Sequence, residues 1–140
     1  MNNLENGVIV DVGAHVGDTT ELYRNYFPGY KIFCFEPFSE SSDYLKKRFI
    51  NNSKINVVET ALGIKDEIKP LYASNFSNMN SLQRPNERAW GFDDKKTVDV
   101  GITTLDQFYY ENDIKHIDIL KLDVQGSELD VLMGSKTILE

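Results

Sequence analysis

Residues 8–18 read VIVDVGAHVGD, and the way this stretch changes character along its length decides the fold. Val8, Ile9, Val10 and Val12 make a nearly continuous apolar run, the mark of a strand covered on both faces of a sheet. Gly13 and Gly17 follow where such a strand gives way to a helix. A strand, a glycine turn and a helix in that order put a ligand crevice at the strand's carboxyl end. Gly13 permits a sharp turn and close approach by a ligand, and Gly17 lets the helix start pack tightly on the strand. Backbone N–H groups at the helix start then favour electron-rich ligand atoms.

Working outward, three more brief apolar runs follow: Ile32 to Phe35, then Ile55, Val57 and Val58, then Ile117, Ile119, Leu120 and Leu122. Helical patterns separate them. Thr19, Leu22, Tyr23, Tyr26 and Phe27 fall on one helix face before Pro28-Gly29 stops it. Phe38, Leu45 and Phe49 share a second stripe, which gives out at Asn51-Asn52-Ser53. Thr104-Leu105-Asp106-Gln107 reads as a capping box opening a helix through Phe108 and Tyr109. Ser127 is placed to cap a last helix carrying Leu129, Leu132 and Met133. This alternation predicts an α/β fold, a mostly parallel sheet with helices on both faces. Residues 74–96 break it, being polar with Pro85 and Gly91, and read as a lid or excursion loop. Ile68 to Ala73 and Thr97 to Ile102 flank the loop with enough β-formers to pair as an added hairpin. Trp90 and Phe92 are aromatics suited to cover a substrate such as a sugar or macrocycle.

At 140 residues and 16.0 kDa the chain reads as a single domain, 1–140, large enough for one core. Hydrophobic residues at 41% and charged residues at 26% exclude disordered, collagen-like and disulfide-stapled classes. The net charge of −7 has the wrong sign for coating nucleic acid or anionic lipid, so neither is an expected partner. No basic leader precedes Val8 and no 18-residue apolar run occurs, so neither a signal peptide nor a membrane span is expected. One cysteine, Cys34, supplies neither a disulfide nor a thiolate metal cluster. A cytoplasmic location and no metal are the expectations.

Glu36 ends the second apolar run, 19 residues after Gly17, a spacing that suits an acid accepting both hydroxyls of a ribose. Pro37 holds Glu36 extended. The glycines are spaced G-x-x-x-G, and His15 stands where a dinucleotide fingerprint wants glycine, so the bare backbone that a pyrophosphate needs is missing. Singly, the glycines are turn punctuation and Glu36 a solvated strand end. Together they point to a nucleoside without a pyrophosphate, S-adenosylmethionine (SAM).

The whole pattern resembles the FkbM-type family of SAM-dependent methyltransferases. VDVGAHVGD matches its first motif, CFEP its second-strand acid and proline, ETALG its third-strand end, NSL its central stretch and TTLD its pre-helix signature. ILKLDVQGSELDVLMGS matches its most specific block, and the resemblance runs from Val8 to Ser135. It implies that Asp11, Gly13, Ala14 and Gly17 hold the methionine portion of SAM, with His15, Asp18 and Thr19 completing that loop. Glu36 would take the ribose, and Ala61 would border the adenine. His15 stands where the family commonly has Asn, and Gln125 where it commonly has Glu. The family's Rossmann-like sheet has an order like 3-2-1-4-5-7-6, so this chain would supply 3-2-1-4 with the later strands missing. Its fourth strand would then be an apolar edge, covered in a longer protein or capped by another chain as a homo-oligomer.

The activity implied is O-methylation of a hydroxyl on a small molecule or glycan. The alternative is a catalytically inactive SAM-binding or interaction module; a nucleotide-dependent oxidoreductase is disfavoured by the missing middle glycine. Methyl transfer from a sulfonium is an in-line displacement that asks mainly for alignment, plus a group to take the hydroxyl proton. Asp123, at the end of the fourth strand, is the first candidate for that group. Lys121 lies two residues earlier on the same face, placed for an ion pair with Asp123 or a substrate contact. Glu128 sits in the first turn of the following helix, where the dipole favours an acid in any case. His15 has the chemistry of a proton shuttle but is better placed to pack against the cofactor. His116 should lie far from the chemistry, and Tyr23, Tyr26, Tyr109 and Tyr110 should pack on helix faces.

Overall fold

A computed structural model describes residues 6–74 and 92–140. Four parallel strands form the main sheet: β1 (Val8–Val12), β2 (Lys31–Phe35), β3 (Ile55–Val58) and β7 (Ile119–Leu122). Their order is β3-β2-β1-β7, the expected 3-2-1-4, since β7 is the fourth apolar run. The last strand starts later than that run suggests. Ile117 precedes it, and Asp118 N donates to Val8 O at 2.9 Å before pairing begins at Ile119.

Strand alternation sends side chains to two layers. Ile9, Ile32, Cys34 and Ile55 face α1 (Asp18–Tyr26) and α2 (Ser39–Arg48), packing with Tyr23, Phe27, Leu45 and Phe49. On the other face Val10, Val12, Phe33 and Phe35 meet α3 (Leu105–Glu111) and α4 (Glu128–Met133) through Leu105, Phe108 and Val131. The Phe108 ring stands edge-on to Phe33 and Phe35, with centroids 5.2 and 4.8 Å away. Each such pair adds about 0.5–1.5 kcal/mol beyond its buried area. A final short helix, α5 (Lys136–Leu139), docks through Asp106 of α3, whose carboxylate accepts from Thr137 N and Ile138 N, both at 3.0 Å.

Leaving β3, the chain enters a second, smaller sheet of order β4-β6-β5, made of β4 (Ala61–Leu62), β5 (Glu67–Ser74) and β6 (Phe92–Thr103). Strands β5 and β6 are the expected hairpin, with Ile68 opposite Gly101 and Tyr72 opposite Thr97. It extends beyond the expected limits, so Ser74 and residues 92–96 are strand rather than loop. The rest of the expected lid, residues 75–91 with Trp90 and the NSL stretch at 80–82, lies outside the described residues.

Two helix faces differ from their sequence reading. In α1 the buried residue is Thr20, while Leu22 is 55% and Tyr26 77% exposed. The rotation follows from Thr20 Oγ1, which donates to buried Asp11 Oδ2 at 2.8 Å and contacts Cys34 Sγ at 3.3 Å. In α4 the inward residue is Val131, and Leu129, Leu132 and Met133 are exposed. Tyr110 is also exposed, whereas Tyr23 and Tyr109 pack as expected. Thr104 Oγ1 caps α3 by accepting from Gln107 N at 3.0 Å, but the Gln107 side chain bonds Glu111, so only half of the capping box forms. No helix among the described residues is long and apolar enough to cross a membrane.

Candidate active site

The tips of β1 and β2 are sewn together by backbone. Gly13 N and Ala14 N both donate to Phe35 O, at 2.9 and 3.1 Å, and His15 N donates to Glu36 Oε2 at 2.9 Å. Phe38 N donates to Glu36 Oε1, also at 2.9 Å. The three amides of residues 13–15 are therefore taken up by Phe35 and Glu36 at the tip of β2. Gly13 is obligatory here: its φ is +77°, and a Cβ would stand 2.0 Å from the carbonyl oxygen of Asp123. The β1–α1 turn thus passes directly against the end of β7, leaving no room for a side chain.

Between these tips lies a cleft of about 230 Å³. Gly13, Ala14, His15, Asp18 and Thr19 form one side of it, and Glu36 with Pro37 the facing side. Ala61 lines it from the small sheet, and Lys121 and Asp123 line it from the end of β7. Nine of the twelve residues singled out for cofactor or chemistry, the acidic strand tips Glu36 and Asp123 among them, therefore meet at one place, while three residues sit elsewhere. Gly17 faces α2 and not β1: its φ is +87°, and a Cβ would lie 2.7 Å from Leu45 Cδ2 and Phe49 Cε2. Asp11 is wholly buried beneath the turn. Glu128 is turned into its own loop, accepting from Gly126 N at 3.0 Å and Val124 N at 3.2 Å. Ser127, the expected cap of α4, makes no side-chain cap hydrogen bond, and its buried hydroxyl is without a hydrogen-bond partner among the described residues.

Lys121 is ion-paired, but with Asp11 rather than Asp123. Register explains it: Asp11 and Lys121 are direct partners across β1 and β7, so their side chains share a face. Lys121 Nζ lies 2.9 Å from Asp11 Oδ1, off regular hydrogen-bond geometry, and donates to Gly13 O at 3.0 Å. The ammonium thereby neutralises a buried acid and clamps the glycine turn from below. Asp123 is exposed at the cleft mouth, its Oδ1 accepting from Gln125 Nε2 at 3.1 Å. Asp18 is paired with Arg48 of α2 at 2.8 Å.

Charge in the cleft is set by burial. Glu36 is only 7% exposed, and desolvation raises its pKa above the usual carboxylate range although the Phe38 and His15 amides pull the other way. Burial lowers the His15 imidazole, partly countered by Asp18 and Asp123 and reinforced by Lys121. Cys34 is buried against Thr20 and its thiol is pushed up to about 12, which makes it inert. Burial works to raise Glu128, and surrounding backbone amides overcome it, leaving its pKa lowered. His116 pairs with Asp118 at 3.3 Å, outside the cleft. Among the described residues no cluster of His, Cys, Asp and Glu is placed to hold a metal.

Beyond Ala61, sequence reasoning missed what the small sheet contributes. Leu62 of β4 and Leu71 of β5 line the cleft. Leu71 is buried with Ala61, Val100 and Ile102, and Phe38 packs on that cluster. The hairpin itself was legible, but nothing in its alternation says which end of the main sheet it covers.

The described geometry agrees with comparison to known proteins. The methyltransferase FkbM domain matches residues 11–140. Over 144 residues the chain is 26% identical to 2-O-methyltransferase NoeI of Sinorhizobium fredii, covering 94% of this chain and 58% of that protein. Methyltransferase sdnD of Sordaria araneosa is 29% identical over 92% of this chain and 60% of its own length. Methyltransferase 1 of Beauveria bassiana is 27% identical over 93% and 59%. The chain thus spans about three fifths of the length of these relatives. With its parallel sheet, glycine turn and acid tip in the expected order, and a match over residues 11–140, the chain belongs to the FkbM methyltransferase domain family.

Proposed function

We propose that this domain binds SAM between the β1 and β2 tips and directs its methyl group to a hydroxyl oxygen of a small molecule or glycan. The observation that carries the reading is the Glu36 carboxylate, fixed at the cleft wall by one backbone N–H on each oxygen. A carboxylate has about four acceptor sites. Each Glu36 oxygen therefore keeps capacity for one more donor, which matches the two adjacent hydroxyls of a ribose. Opposite it, the turn at Gly13 presents backbone without a side chain, and Ala61 with Leu62 and Leu71 offers an apolar surface for a flat base. The residues present fit the cofactor.

When bound, SAM supplies a methyl group activated by a sulfonium. The protein's part is alignment and charge. Lys121 holds the turn through Gly13 O and so fixes the cleft floor. Asp123, exposed at the mouth, orients the acceptor hydroxyl and takes its proton. A hydroxyl acceptor is favoured because one relative is named a 2-O-methyltransferase.

Calorimetric titration with SAM tests the reading. Saturable binding is expected, weakened about tenfold or more in Glu36→Ala through loss of charged hydrogen bonds. Absence of heat with folded protein, or equal affinity in the variant, would overturn it. Formation of S-adenosylhomocysteine with a hydroxylated acceptor, abolished in Asp123→Asn, separates methyl transfer from binding alone.

A further inference from the structure

We infer that His15 sets the cleft's preference between SAM and its demethylated product S-adenosylhomocysteine, with acid shifting that preference toward the product. The inference rests on the proposed SAM site. The two ligands share every group except the methyl, and with it the positive charge on sulfur. Charges on the cleft wall therefore act on one ligand and hardly on the other.

His15 is fixed on that wall. It lines the cleft from a left-handed backbone position, φ +51°, and its own amide is tied to Glu36 Oε2 at 2.9 Å. Among the described residues, the charged groups facing it come from four directions. Asp18 of α1 is balanced by Arg48 of α2, and Lys121 of β7 by Asp11 of β1. Glu36, at the tip of β2, is held by backbone amides, and Asp123, after β7, by the neutral Gln125 side chain. With a neutral imidazole the balance of these described groups is therefore anionic, which suits a sulfonium. An imidazolium adds a like charge that repels the sulfonium and leaves the neutral thioether untouched.

Burial holds the imidazole below its usual titration range, with Asp18 and Asp123 partly restoring it and Lys121 opposing them. His15 is accordingly neutral at neutral pH and takes up its proton only below the usual histidine range. Linkage is reciprocal: bound SAM must push the imidazole lower than the bound product does. Glu36 grips the ribose common to both ligands but is also an anion on the cleft wall, so its protonation adds to the acid effect on the ratio, and the share owed to His15 is the part lost in His15→Asn.

The experiment is calorimetric titration of the full chain with each ligand at about pH 8 and about pH 5.5, in wild type and in His15→Asn. Asparagine tolerates the left-handed backbone, so the turn survives. In wild type the dissociation constant for SAM divided by that for the product should rise at least about threefold on acidification. In His15→Asn the rise should be clearly smaller than in wild type. Proton NMR of the His15 ring gives a second readout, a lower pKa with SAM bound than with product bound. A pH-independent ratio in wild type, or the same change in His15→Asn, overturns this inference while the SAM site stands. Failure of both ligands to bind at about pH 8 removes the site and this inference together.

Discussion

Glu36 is an acid whose surroundings both use its charge and oppose it. Desolvation raises its pKa while two backbone amides partly compensate. Because the folded state holds the proton more tightly than the unfolded chain does, its contribution to stability is present below the ordinary carboxylate value. That contribution is lost as pH rises through the folded value. Ligand binding runs the other way, since the ribose hydroxyls need the ionised acceptor. Affinity for SAM and for its product should therefore fall together on acidification, with a midpoint above the usual carboxylate range, and this common dependence should vanish in Glu36→Gln; titration across pH checks it. Gly13 is the other decisive residue. A methyl group there meets the Asp123 carbonyl at 2.0 Å on a backbone with φ +77°, so Gly13→Ala should cost at least about 2 kcal/mol by urea unfolding. Both residues were legible from sequence only in combination, because singly a glycine after an apolar strand is common turn punctuation and an acid at a strand end is commonly a solvated one. Asp11 was not: its position beside Lys121 depends on strand register, which no local pattern records.

Among the elements, the pairing of β1 with β7 brings Asp11 and Lys121 together, and the ion pair locks the two strands under the cleft. Lys121→Met leaves a fully buried carboxylate without its cation and should destabilise the fold by about 3 kcal/mol in denaturant titration. Asp11→Asn combined with Lys121→Met should lose markedly less, because no charge is then stranded. A single variant as stable as wild type would contradict this account. The Asp106 carboxylate joins α3 to α5, and Asp106→Ala should cost about 1 kcal/mol, read as a lowered melting temperature. Strands were easier to read than helix faces. Every β-run of the main sheet is nearly all apolar, whereas α1 and α4 are short and their rotation is fixed by single contacts. Thr20 on Asp11 sets one and Val131 in the core sets the other. Leu22, Tyr26 and Leu129 looked inward on periodicity alone and are exposed.

For the whole molecule, the alternating runs made a parallel sheet with crossover helices legible before any coordinates, whereas the order β3-β2-β1-β7 was what the family resemblance implied and not what alternation alone fixes. The second sheet was legible only as a hairpin. Its place beside the cleft depends on the chain leaving β3 at Val58 and pairing Ala61 with Ile102, and so did the roles of Leu62 and Leu71. The account's central claim is that two neighbouring strand tips and this small sheet jointly hold one adenosyl ligand. Backbone amide NMR shifts on adding SAM test it most directly. The account predicts the largest changes at His15, Phe38 and residues 60–62, with the same map in weaker form for Glu36→Ala at saturating ligand. Changes confined to one tip, or centred away from the cleft, would contradict it.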